Sequence, residues 1–170
     1  FDLGLPDDAL HLFLGDGELG RAIVLNQAID LVAFTGSLQT AKDIHKSLSS
    51  KPGKLIPLIA ETGGLNTMIV DSSALLERAC DDIIRSAYNS AGQRCSALRV
   101  LLVHHDIYSE LLTMIKGAMN DLSIGAPDEL GTDIGPIISF EALKKLKNYI
   151  ASMESEGNSC FQSKEDIPCD

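Results

Sequence analysis

Short apolar runs alternate with stripes of helical period through the first 60 residues, and this alternation restricts the fold more than any other feature of the chain. Residues 10–14 are apolar and end in Gly15-Asp16-Gly17, which reads as a buried strand and a turn. Leu19, Ala22, Ile23 and Asn26 then fall at helical spacing. Residues 31–34 form a second apolar run, stopped by Thr35-Gly36-Ser37. Leu38, Ala41, Ile44 and Leu48 recur at helical period with Ser37 placed as N-cap. Residues 55–60 read as a third strand, which Pro57 moves toward an edge. Strand, helix, strand, helix, strand is the pattern of an α/β fold built on a parallel sheet.

The rhythm continues downstream with different spacing. Residues 66–70 read as a strand, and Leu75, Leu76, Ala79, Cys80, Ile83, Ile84, Ala87 and Tyr88 form a helical stripe after Ser72-Ser73. Gly92 is placed as the stop of that helix. Residues 97–103 form a Leu- and Val-rich strand. Tyr108, Leu111, Leu112, Ile115, Met119 and Leu122 mark a helix after Asp106. Residues 125–136 are loop by composition, and a last helix starts at Ser139. No internal repeat is present.

Charge and composition exclude several functions. Fourteen Lys and Arg against 24 Asp and Glu give a net charge of −10, the wrong sign for a face that neutralises phosphates. Aromatic residues are only 5% and Trp is absent, which disfavours a base-stacking platform. No apolar run reaches the roughly 20 residues that cross a bilayer. The four cysteines, Cys80, Cys95, Cys160 and Cys169, contain no Cys-x-x-Cys pair, and the four histidines are scattered. A reducing, cytoplasmic setting without a structural metal is the expectation. The chain opens on Phe1 without Met or signal peptide, so we expect either processing or a piece of something longer.

Four local patterns bear on chemistry. Gly15-Asp16-Gly17-Glu18-Leu19-Gly20 matches the dinucleotide fingerprint, but Asp16 and Glu18 would set negative charge beside a pyrophosphate. The next strand also ends in Thr35-Gly36 and not in an acid, so this is a strand-to-helix turn that uses Gly. Thr35-Gly36-Ser37 is the better anion candidate, because a strand there feeds a helix N-terminus. Glu61 stands at a strand end before Thr62-Gly63-Gly64, where acids of open α/β sheets act on ligands; a solvated loop acid is the alternative. Cys95, flanked by Arg94 and near Arg99, is either a loop nucleophile or a small buried side chain. Cys80 lies on an apolar helix face and reads as core. His104-His105 reads as surface after a strand.

Phe34-Thr35-Gly36-Ser37, Glu61-Thr62-Gly63-Gly64 and Gly92-Gln93-Arg94-Cys95, in this order and spacing, resemble the aldehyde dehydrogenase superfamily. Most members carry Leu after the glutamate, where Thr62 stands here. With Asp71-Ser72-Ser73-Ala74, Ser96-Ala97-Leu98-Arg99 and Thr132-Asp133-Ile134-Gly135-Pro136, the chain resembles the glutamate γ-semialdehyde (pyrroline-5-carboxylate) dehydrogenase branch. The form it most resembles is the bacterial one fused to a flavin-dependent proline dehydrogenase.

The resemblance implies a Rossmann-like sheet segment, residues 1–62, ending an NAD-binding domain. It implies that residues 63–170 begin an α/β catalytic domain. It makes Cys95 the nucleophile and Glu61 the base that activates water. Thr35, Gly36, Ser37, Thr62 and Gly63 would contact NAD, and Ser96 the substrate carboxylate, with no metal. FAD would belong to a separate domain outside this chain, and the oxyanion asparagine and ribose-binding residues would lie outside it too. An isolated fragment is therefore expected to be inactive and to self-associate through exposed surface. The parent would be cytoplasmic, with a peripheral inner-membrane location as a variant. A stand-alone semialdehyde dehydrogenase and a non-catalytic assembly module are the alternatives, and a deeply buried Cys95 would favour the latter.

Overall fold

Parallel strands need a crossover, and both strand pairs in this chain obtain one from a helix. A computed structural model describes residues 4, 6 and 8–163. The chain divides into two units, Phe1–Gly63 and Gly64–Asp170, each carrying its own β-α-β element.

In the first unit, α1 (Gly17–Leu25) is followed by β1 (Val32–Gly36), α2 (Leu38–Ser49) and β2 (Leu58–Thr62). β1 and β2 pair in parallel, with Thr35 opposite Glu61 and Gly36 opposite Thr62. α2 packs on both strands and on α1, burying Ala41 and Leu48. Ser37 caps α2 as expected: its hydroxyl accepts from the Thr40 N–H at 3.1 Å. Asp16 caps α1, its carboxylate accepting from the N–H groups of Glu18 and Leu19 at 3.0 and 3.2 Å. The donors a pyrophosphate would use at the glycine-rich turn are thus already bonded to a protein carboxylate.

Two expectations change here. Residues 10–14 form no strand: Leu10 and Leu14 are each 85% exposed, and no described strand pairs with them. Apolar character marks a segment fit for a sheet, but a strand exists only where a partner supplies its hydrogen bonds. The third strand spans Leu58–Thr62 instead of 55–60, leaving Leu55 exposed. Pro57 has no N–H to give; its carbonyl accepts from the Val32 N–H at 3.0 Å and the ladder begins after it. Glu61 and Thr62 therefore lie within the strand.

In the second unit, β3 (Asn66–Val70), α3 (Leu76–Tyr88) and β4 (Leu98–Val103) form the β-α-β element, followed by α4 (Tyr108–Asp121) and α5 (Phe140–Ser155). β3 and β4 are parallel. Val70, Cys80, Ile83, Leu98, Leu111 and Ile115 interlock as the core, drawn from both strands, α3 and α4. Each such Leu or Ile side chain contributes about 1.5–3 kcal/mol by leaving water. Burial, then the Asp81 charge, pushes the Cys80 thiol up, as fits an inert core cysteine. Burial likewise raises the Tyr88 phenol, whose O–H donates to the Met119 sulfur at 3.2 Å, tying α3 to α4. The loop before α5 is pinned by a parallel bridge between Ile124 and Ile134, and Ser139 caps α5.

Ser72-Ser73 does not cap α3. The Asp71 carboxylate takes the Ser73 hydroxyl at 2.8 Å and the Ser73 N–H at 3.3 Å, so a turn forms first and the helix begins three residues after Ser73. The same bonds, the Ser73 hydroxyl foremost, hold the Asp71 carboxyl below its ordinary value. This turn's contribution is complete above the ordinary carboxylate pKa of about 4 and fades as pH falls through the lowered value. α3 also ends earlier than Gly92, at Tyr88.

Candidate active site

The first unit gathers its candidate residues at one sheet edge. Parallel register sets the carboxyl ends of β1 and β2 side by side, so Thr35 and Gly36 flank Glu61 and Thr62. The N-terminus of the 12-residue α2 opens directly after Gly36. Ligands of open parallel sheets bind outside these carboxyl ends, where helix N–H groups and dipole attract anions. Gly63 has no atom within 4 Å of where a Cβ would stand, so its backbone is open to close approach. This edge is where the chain could hold an anionic group of a ligand. The Ser37 hydroxyl is engaged as the cap and also lies 2.8 Å from the Thr40 hydroxyl.

The second unit holds Cys95 and Ser96 on an exposed turn leading into β4. Cys95 is exposed on this turn and is not a buried filler, whereas Cys80 is buried. The approach to this turn is strained. Ser90, Ala91 and Gly92 occupy the left-handed region in succession, at φ 56°, 52° and 65°. Each non-glycine residue there costs about 1–2 kcal/mol. Gly92 is buried, and a Cβ on it would stand 2.8 Å from the Ala87 carbonyl oxygen.

Gly92→Ala should therefore destabilise the protein by about 2 kcal/mol or more, through left-handed strain plus that clash. Ala91→Gly should stabilise it by up to about 1 kcal/mol. Denaturation midpoints of the two variants should move in opposite directions, and equal midpoints would contradict the geometry.

Arg94 and Arg99 work on backbone carbonyls. The Arg94 guanidinium donates to the Arg85 and Ser86 carbonyls near the end of α3, at 3.2 and 3.3 Å. Arg99 donates to the Gly92 carbonyl at 2.5 Å. Gln93 ties the turn to a distant loop: its amide nitrogen donates to the Ser90 and Pro136 carbonyls at 3.3 and 3.2 Å, and its oxygen accepts from the Ile138 N–H at 2.8 Å. Asn66, at the start of β3, donates to the Cys95 and Ala97 carbonyls. Sequence reasoning assigned no role to Asn66 or Gln93. Side-chain bonds spanning 29 to 45 positions leave no periodic trace, and only placement beside the cysteine motif hinted at Gln93.

Among the described residues, one group has metal-ligand chemistry: His104, His105 and Asp106, with ligand atoms within 4.8 Å of one another. They are consecutive on a surface turn and pair among themselves, His105 Nε2 lying 2.7 Å from Asp106 Oδ1.

The model of the aldehyde dehydrogenase family matches residues 1–168. The chain is 42% identical over 166 residues to the Bifunctional protein PutA of Klebsiella aerogenes, covering 95% of this chain and 13% of that protein. It is 34% identical over 160 residues to the 1-pyrroline-5-carboxylate dehydrogenase of Bacillus subtilis (strain 168), covering 92% of this chain and 31% of that one. A crystal structure of a proline utilization A variant from Bradyrhizobium japonicum superposes with a TM-score of 0.92 at 43% identity, over 98% of this chain and 17% of that chain. The chain thus spans between about an eighth and a third of the length of these relatives. With three motifs, two parallel β-α-β units and a family match over nearly every residue, the chain belongs to the aldehyde dehydrogenase family.

Proposed function

We propose that this chain is the segment of an NAD-dependent L-glutamate γ-semialdehyde dehydrogenase that carries the nucleophile and the hydrolytic base. The observation that carries the reading is the intact Glu61-Thr62-Gly63-Gly64 and Gly92-Gln93-Arg94-Cys95 pair within a chain 42% identical to a protein named PutA. In this reading residues 1–62 end the cofactor domain and residues 63–170 begin the catalytic domain.

The Cys95 thiolate attacks the aldehyde carbonyl carbon, forming a C–S bond while the carbonyl π pair moves to oxygen. The Cys95 backbone N–H donates to that oxyanion. When bound, NAD would supply the acceptor for the hydride of that carbon. The oxyanion pair re-forms the carbonyl, and the product on Cys95 is a thioester. Glu61 takes a proton from water, whose oxygen adds to the thioester carbon; the C–S bond breaks and the thiolate returns. Ser96 donates to the substrate carboxylate. Thr35, Gly36 and Ser37 would lie along the nicotinamide and pyrophosphate of bound NAD at the α2 N-terminus, and Thr62 and Gly63 would approach the nicotinamide end through backbone.

Exposed Cys95 supports this reading over a non-catalytic assembly module, which a buried thiol would have favoured. In this reading the parent acts in the cytoplasm. Among the described residues no helix is long and apolar enough to cross a membrane. Leu10, Leu12, Phe13 and Leu14 are all exposed, which supports self-association of the chain on its own.

The test is NADH formation by the complete polypeptide that contains this chain. Glutamate γ-semialdehyde should be used with kcat/KM at least about 100-fold above that of an aldehyde of equal length lacking the amino and carboxylate groups. Equal use of both would overturn the substrate assignment.

A further inference from the structure

We infer that Asn66 is a positioning residue for the nucleophile turn, acting as a side-chain extension of the β3·β4 ladder; the inference rests on the role proposed above for Cys95. In a parallel ladder, carbonyls two residues apart on one strand accept from backbone N–H groups of its neighbour. Here the regular ladder breaks at its first step. Asn66 pairs with Leu98 while Thr67 pairs with Val100, so Arg99 is extra on β4. Below that irregularity the carbonyls of Cys95 and Ala97, two apart, have no strand of β3 beside them, since β3 begins at Asn66.

The Asn66 carboxamide fills that position. Its nitrogen donates to the Cys95 carbonyl at 2.7 Å and to the Ala97 carbonyl at 3.0 Å. A primary amide has two N–H donors, so one side chain serves both acceptors. Fixing the Cys95 carbonyl constrains the peptide plane that follows its Cα, and fixing the Ala97 carbonyl anchors the turn two residues on, so the backbone that carries the sulfur is held from its C-terminal side. The turn is approached through three left-handed residues, a backbone that persists only where its surroundings hold it, and Asn66 adds two bonds to those of Gln93, Arg94 and Arg99. Asn suits this position because its amide mimics a peptide group. Asp, equal in shape, would set carboxylate oxygens against two carbonyl oxygens and offer neither donor.

The experiment uses the complete polypeptide carrying Asn66→Asp or Asn66→Ala, with Thr67→Ala as the neighbouring control. Two readings are taken: amide hydrogen exchange of the peptide spanning residues 93–98, and steady-state kinetics with the semialdehyde. We expect faster exchange in that peptide for both Asn66 variants. We also expect kcat lowered by about 10- to 100-fold, with the KM for NAD unchanged, since a misplacement near 1 Å costs on that order. Thr67→Ala should alter neither reading.

Exchange and kcat both within about twofold of the parent would overturn the inference. So would loss of the folded protein in both Asn66 variants, which would mark Asn66 as a general stability residue. Exchange is read without substrate. Faster exchange in a parent that has no dehydrogenase activity would leave the turn geometry standing and sink the proposed reaction.

Discussion

Cys95→Ala should reduce NADH formation from glutamate γ-semialdehyde by about 10⁴-fold or more in the complete polypeptide, and Cys80→Ala should leave it nearly unchanged. The asymmetry follows from placement. Cys95 is exposed on a turn, and in the proposed reaction every later step acts on the carbon bonded to its sulfur. Cys80 is buried in the core of the second unit, its thiol pushed up by burial, so its loss costs packing and not chemistry. Cys95→Ser should also lose most activity, because a hydroxyl at its ordinary pKa is a far weaker nucleophile than a thiolate. Stopped turnover in Cys80→Ala with retained turnover in Cys95→Ala would reverse the assignment.

Glu61→Gln should separate the two halves of the reaction. The amide keeps the shape of the carboxylate within β2 but cannot take a proton from water. Thioester formation should proceed, giving a rapid burst of NADH close to one equivalent per site. Steady-state turnover should then fall by about 10²- to 10⁴-fold, the usual contribution of a positioned base. The measurement is stopped-flow absorbance of NADH. A variant that loses burst and steady state together would place Glu61 in the hydride-transfer half, and unchanged turnover would remove it from the mechanism.

Much of the fold is legible because strands and helices repeat their apolar residues at different periods. β3 is found at Asn66–Val70, the segment read from the sequence, and the caps at Ser37 and Ser139 stand where polar residues precede an apolar stripe. What periodicity cannot convey is partnership. Residues 10–14 have the composition of a strand and pair with none of the described strands, and the limits of β2 are set by its register on β1, not by where its apolar run begins. The Asp71 turn shows a third limit: two serines in a cap position lose to a carboxylate that bonds one of them first.

The candidate residues are legible as motifs, and their support is not. Thr35, Gly36, Glu61 and Thr62 come from two separate segments, and only the parallel register shows that they share one edge. The left-handed turn before Cys95 is half invisible, since Gly92 signals it while Ser90 and Ala91 are residues that ordinarily avoid that region. Arg94 and Arg99 look in sequence like cations for a thiolate, yet their guanidinium groups bond carbonyls of α3 and of the turn itself.

The most direct test of the account is to trap the covalent intermediate. Glu61→Gln polypeptide would be mixed with NAD and glutamate γ-semialdehyde, quenched in acid and mapped by peptide mass spectrometry. One glutamyl adduct is expected, as a thioester on the peptide containing Cys95, in yield close to the NADH burst. A burst without any adduct on Cys95, or an adduct on Cys80 or Cys160, would contradict it.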